Sequence, residues 1–445
     1  MLQGSILKQV VATRGEADAT SLNFGVYYKN TLVALCHALE DFILELPGDG
    51  LKPLVIAAFQ QGKWYLQEAD RYAAIADQAA QIVIMAAPEA GFHSHPTGQR
   101  PNVTLVDLAD DDPVNQEWHL IILSPDYSAM VLCQELSDAD YGPAGPPTVD
   151  LERKFYGLWS FDRSLVVQAA ALAIAHLGRY QPDLQARLQT LWQQQEQQNH
   201  HRQLTPAVLQ VVRYLQQQRD QLPDNPNLSH PQNLDQNLAI NELQAFLRMA
   251  QWVDRSDPIN PLATRQVVEV LEVMGQLLDL PAWQVQRLRL AGWLHRIAPA
   301  SPAVDTSAAG PSCPLVPAVQ SLRLMPRLRA VATIIAHQGE WWNGQGRPAG
   351  LAGEAIPLES RLLGLAVEFQ RYRASTNSPA MDTKADLIRG LEACQAQAGS
   401  RWDPALVEWL RLTVSALQQG LGPPPSQPTS LVANLFNPDL PFESP

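Results

Sequence analysis

The stretch Ala336-His-Gln-Gly-Glu-Trp-Trp-Asn-Gly-Gln-Gly-Arg-Pro-Ala-Gly-Leu-Ala-Gly-Glu-Ala-Ile-Pro-Leu-Glu-Ser-Arg361 decides how the C-terminal half of this chain is read. The apolar run Val331 to Ile335 feeds it as a helix, and a second apolar helix starts at about Glu359. Between them lie Gly339, Gly344, Gly346, Gly350 and Gly353, together with the adjacent Trp341 and Trp342. Glycine serves where the backbone turns through positive φ or comes close to another group. Helix-to-helix connections usually take a few residues. This one is longer and carries two large aromatics, so it reads as a shaped loop.

Glu340, Trp342, Gly344, Gly346, Pro348, Gly350, Leu351, Gly353, Ile356, Pro357 and Leu358 follow one another in a spaced pattern. In that pattern the chain resembles the HD-GYP family, a subgroup of HD-domain metal-dependent phosphohydrolases. The resemblance runs back to Leu290-Ala-Gly-Trp-Leu-His295-Arg296 and forward through Arg361 to Trp402-Asp403-Pro404, roughly residues 255 to 420. It implies an all-α domain. The family's metal ligands are largely missing: its His-Asp pair reads His295-Arg296, and its adjacent His pair aligns with Gln338-Gly339, with His337 one position early. A later Asp aligns with Val367, with Glu368 one step on, and no His stands near Ala263 to Arg265. Divalent metals need several converging imidazole or carboxylate ligands, and a guanidinium at 296 brings a permanent positive charge. The Tyr of the family signature is Arg347 here.

At 445 residues the chain holds two or three domains with their own cores. Hydrophobic residues make up 46% and charged residues 17%, which is a globular composition. The net charge of −13 disfavours nonspecific DNA binding, which relies on basic surface. No run of about 20 apolar residues is present, so no membrane span is expected. Cys36, Cys133, Cys313 and Cys394 are scattered without metal spacing, which points to a reducing cytoplasm.

In the N-terminal half, Leu32, Leu35, Cys36, Leu39, Ile43 and Leu44 recur at helical spacing. Pro53 to Gln60, Ile82 to Ala87, Val103 to Val106, Trp118 to Leu123 and Ala129 to Cys133 read as buried strands, with a helix over Arg71 to Gln78. Strands alternating with helices argue for an α/β domain. Leu39-Glu40-Asp41, Ala58-Phe59-Gln60, Arg71-Tyr72, Asp110-Asp-Asp-Pro113, Glu117-Trp118, Pro125 with Ala129, and Phe155 to Asp162 resemble, in their order, the DICT sensory domain. That family is attached to bacterial diguanylate cyclases, HD-GYP proteins and two-component proteins.

The expected layout is α+β and multidomain: a loose leader over 1–20, a DICT-like α/β domain over 21–178 and a Gln-rich helical connector with a Pro/Asn linker over 179–236. A degenerate HD-GYP-like helical domain over 237–420 and a disordered Pro-rich tail over 421–445 follow. The stripes Leu184, Leu188, Leu191, Trp192 and Val208, Val211, Val212, Leu215 could pack on a neighbour or form a homodimer. Phe59, Gln60, Trp64, Arg71 and Tyr72 are candidate ligand contacts in the sensor, and Trp342 and Arg347 in the loop. The acidic run 110–112 reads as a solvated turn, His93 and His95 as loop residues without the further ligands a metal needs, and His200 and His201 as solvent-facing. Glu340 could pair with Arg347 or Arg361. The function expected is a signalling regulator without hydrolytic activity, acting on other signalling proteins or binding a cyclic dinucleotide, with no cofactor. The alternatives are an Fe- or Mn-dependent phosphohydrolase built from His295, His337, Glu340 and Glu368, and a dimeric scaffold.

Overall fold

The computed structural model describes residues 1–19, 24–45, 51–88, 93–197, 205–255, 257, 259–297, 319, 322, 323, 325–373 and 383–422. His200, His201, Cys313 and the chain from 423 lie outside them. Contacts divide the protein into two units, Met1–Ala245 and Phe246–Pro445.

The first unit is built on a mixed sheet. Its strands are β1 (Gly25–Tyr28), β2 (Leu54–Gln61), β3 (Gln81–Ala87), β4 (Val103–Asp107), β5 (Glu117–Leu123), β6 (Ser128–Glu135) and β7 (Lys154–Ser160), in the order β1-β7-β6-β5-β2-β3-β4. β2, β3 and β4 run parallel, and the other neighbours are antiparallel. The expected strands are all present; β1 and β7 add to them. β7 is interrupted by Gly157, whose absent side chain lets the strand sit against β6: a Cβ there would lie 2.1 Å from the Leu132 carbonyl oxygen.

Alternation of side chains gives the sheet two apolar faces. Leu54, Ile56, Ala58, Val83, Ile121, Met130 and Leu132 join one core with α1 (Ile6–Ala19), α4 (Arg163–Leu177) and α5 (Pro182–Gln197). Phe59 faces the other side, where its ring meets Tyr65 and Tyr72 of α3 (Gly62–Gln78). α2 (Lys29–Leu44) and α6 (Thr205–Gln221) pack on each other beside α3.

Two expectations are corrected here, and of the two readings of the connector stripes the structure takes packing on a neighbour. Residues 1–20 are not a loose leader over their described part: α1 buries Ile6, Leu7 and Val10 completely. The first two backbone N–H groups of α1 donate to the buried Glu117 carboxylate, both at 3.0 Å. Burying three such side chains contributes on the order of 5 kcal/mol. The connector stripes are consumed within the chain: Leu184 and Leu188 belong to the sheet core, and Val208, Val211 and Leu215 are buried. Asp112 is buried rather than solvated. It accepts from Val114 N–H at 2.9 Å and bonds His176 at 2.8 Å, while Asp110 and Asp111 stay exposed.

α7 (Pro231–Arg255) starts six residues earlier than the periodicity from Asn237 suggests, because Pro231 fits the first helical position and Leu234 and Leu238 are buried. The second unit is helical, with α8 (Ala263–Leu277), α9 (Ala282–Leu294), α10 (Arg329–Ala336), α11 (Leu358–Arg373), α12 (Thr383–Gln395) and α13 (Pro404–Gln418).

Candidate functional site

α9 carries Leu290-Ala-Gly-Trp-Leu294 into His295. Gly292 lets α9 approach α8, since a Cβ there would lie 2.8 Å from Val268 Cγ2. His295 is buried, and its Nδ1–H donates to the Gly292 carbonyl at 2.6 Å. Burial pulls its pKa down to about 4, and the Arg296 charge adds to this. The ring is therefore neutral at pH 7 and anchored as a helix-end residue.

Arg296 lies between two carboxylates. Nη1 is 2.7 Å from Asp254 Oδ1 and Nη2 is 2.6 Å from Asp257 Oδ2. Thr264 Oγ1 donates to the same Asp254 oxygen at 2.7 Å. Asp254 sits in the last turn of α7 and Asp257 just past it, before Pro258, where the residue preceding a proline is biased out of the helix. Asp257 Oδ1 also accepts from Ile259 and Asn260 N–H. Burial pushes the Asp254 carboxyl up despite Thr264 and Arg296. At Asp257 burial is outweighed by the two N–H groups and Arg296, which hold the carboxyl low. Arg296 is partly desolvated, yet both carboxylates hold its pKa above the ordinary value.

The 336–361 loop is organised by Glu340. Its carboxylate is buried and accepts Ala349 N–H at 2.6 Å and Leu351 N–H at 3.1 Å. It pairs with neither Arg347 nor Arg361; Arg361 goes to Asp403 at 2.7 Å, and Arg347 is exposed. Gly346 passes so close that a Cβ would lie 2.1 Å from the Trp341 nitrogen, and Gly344 and Gly350 have φ of +80° and +66°. Trp342 N–H and Asn343 N–H donate to the carbonyls of Arg401 and Ser400. Trp341 lies under the Arg401 guanidinium and Trp342 under that of Arg361. The tryptophans thus carry cations on their faces.

His337 bonds the Thr333 carbonyl at 3.0 Å, and Glu368 holds Arg371 at 2.6 Å and Arg401 at 2.9 Å. His295, His337, Glu340 and Glu368 therefore each have a different partner. Among the described residues, no group of three or more His, Cys, Asp or Glu is placed to hold a metal ion. The donor set around Arg296 does not suit one either, because a guanidinium has no lone pair to offer and stays protonated.

In the first unit the candidate contacts fall into three groups. Gln60 bonds Glu135 and Arg153. Phe59 joins Tyr65 and Tyr72, while Arg71 and Tyr72 meet Glu40 and Asp41 of α2. Trp64 lies under the buried Lys29, 3.6 Å from ring centroid to Nζ. His93 bonds the exposed Asp107, and the half-buried His95 bonds the buried Thr97 and the exposed Asp70. Sequence reading missed Asp254, Asp257 and Thr264. The signal available was an Asp-x-x-Asp closing an apolar helix before a proline.

Residues 4–136 match the family described as a sensory domain in diguanylate cyclases and two-component systems, DICT. Residues 234–406 match the HD domain, and residues 149–224 match the C-terminal domain of a two-partite extracellular sensor domain. A segment of 79 residues is 39% identical to 3'3'-cGAMP-specific phosphodiesterase 3 of Vibrio cholerae, covering 18% of this chain and 15% of that protein. A crystal structure of a cyclic GMP-AMP-specific phosphodiesterase of V. cholerae is similar over 45% of this chain and 53% of its own, with 21% identity and a TM-score of 0.31. An HDG"Y"P protein of Bdellovibrio bacteriovorus is similar over 66% of this chain and 95% of its own, with 15% identity and a TM-score of 0.26.

Proposed function

The chain joins a DICT sensory domain to an HD domain, and from that premise we propose a signal-transduction regulator whose HD domain relays a state without hydrolysing a nucleotide. The relay works through protein contact or through binding a cyclic dinucleotide. The observation that supports it is Arg296, held between Asp254 and Asp257 where the HD-GYP pattern carries the Asp of its His-Asp pair. A fixed cation there neutralises the carboxylates that a metal would need, and no step through a metal follows from these residues. His295, neutral and bonded to its own helix, is a packing residue in this reading. The likeness to a 3'3'-cGAMP-specific enzyme makes 3'3'-cGAMP the first ligand to test, with Trp342 and Arg347 as its candidate contacts.

We place the protein in the cytoplasm. Cys36, Cys133 and Cys394 are free buried thiols, as a reducing compartment allows. No helix among the described residues is long and apolar enough to cross a membrane.

The test is metal analysis of the purified full chain together with turnover of 3'3'-cGAMP and cyclic di-GMP in added manganese or iron. The expected result is no stoichiometric metal and no linear product. Hydrolysis that His295→Ala abolishes would overturn the reading.

A further inference from the structure

We propose that Glu40 is a proton-binding site of the sensory unit, and that losing its proton loosens the hold of α2 and α3 on α6. This rests on reading the unit as a sensor, and it names the proton as a ligand.

The geometry is a charge cluster in which one guanidinium, Arg71, stands among three carboxylates. Glu40 is 3% exposed, and its Oε1 accepts the Tyr72 hydroxyl of α3 at 2.9 Å. The guanidinium Nε of Arg71 stands 3.8 Å away. Arg71 bonds Asp41 directly and lies 3.5 Å from Glu68. Glu68 in turn bonds His37 at 3.1 Å. Asp41 accepts the Tyr214 hydroxyl of α6, and the Tyr214 ring meets His37 edge-on at 6.4 Å. Glu40 is therefore faced by Cys36, His37 and Asp41 on its own helix, by Glu68, Arg71 and Tyr72 on α3, by Tyr127 ahead of β6, and by Tyr214 on α6 through Asp41.

With a proton on Glu40, Arg71 serves two carboxylates, Asp41 and Glu68. With the proton gone, it faces three. Drawing Arg71 toward Glu40 strips Asp41, the residue that holds Tyr214. The charged Glu40 also gains if water reaches it. Both changes favour opening of the α2–α3–α6 junction. Burial raises the Glu40 pKa to about 7, against the ordinary carboxylate value of an opened, hydrated junction. The raised value fixes the sign: the closed form is favoured at low pH and loses ground as pH rises to about 7.

Hydrogen exchange of residues 205–221 in the full chain between pH 5 and 8, corrected for intrinsic rates, tests this. Opening of α6 is expected to rise by up to about tenfold per pH unit toward pH 7 and to level off above it. Glu40→Gln flattens the profile, and Tyr214→Phe raises opening at every pH while keeping the slope. Should E40Q not fold, Tyr72→Phe, which removes the hydroxyl on Glu40, shifts the levelling point to higher pH. A flat wild-type profile, or a wild-type slope retained in E40Q, overturns the proposal. Neither outcome touches the metal and turnover tests of the relay reading.

Discussion

Replacing Arg296 by Met removes the cation while keeping much of its aliphatic length. Asp254 and Asp257 are then left facing each other, with side-chain exposures of 10% and 19%. At an effective dielectric near 20, a contact pair is worth about 4 kcal/mol, and breaking a buried pair from one side costs about 3–5 kcal/mol. All three groups keep some contact with water, so the net loss is expected at about 2–4 kcal/mol. Asp254→Asn alone leaves Arg296 with Asp257 and should cost about 1–2 kcal/mol. In the double variant the stranded charge at 254 is gone, so it should be more stable than the two losses added, by about 1–2 kcal/mol. Hydrogen exchange of the α8 and α9 amides in the full chain reads this directly; about 3 kcal/mol is roughly a 150-fold faster exchange. An R296M protein within about 0.5 kcal/mol of wild type, or losses that simply add, would show that the guanidinium does not neutralise these carboxylates.

Two other outcomes are expected. Glu340→Gln keeps one acceptor oxygen for two N–H groups, so it should cost the loop about 2–3 kcal/mol and speed exchange at Ala349 and Leu351; unchanged protection there would mean the loop holds itself by other contacts. His295 has a folded pKa of about 4 against an unfolded value near 6.5, so its contribution is whole above about pH 6.5 and declines as pH falls to 4, by about 3 kcal/mol. Thermal or urea melting of the helical unit should show that decline, and His295→Leu should remove it.

Much of the architecture was legible in the residues. The strands β2 to β6 are continuous apolar runs, and α2, α10 and α11 show helical spacing, because local patterns report which face of an element is buried. The Gly- and Trp-rich loop announced its own shape: Gly346 and Gly344 stand where a side chain would collide or the backbone is left-handed. β1 escaped notice because four residues carry too little pattern, and β7 because its Gly interrupts the run. α1 escaped because the acceptor for its first N–H groups is Glu117, 111 and 110 residues away.

The sequence by itself therefore determined the two classes of domain and the order of most elements, and it set Arg296 and Gln338-Gly339 where the HD-GYP pattern carries other residues. Only the tertiary structure decided what those positions meet. Arg296 meets Asp254 across 42 residues of chain, Tyr214 meets Asp41 across 173, and the acidic residues do not reveal which of them is buried. Periodicity is a local consequence of backbone geometry. The partner of a charge is set by how distant elements pack, and burial then decides whether that charge is held, shared or given up.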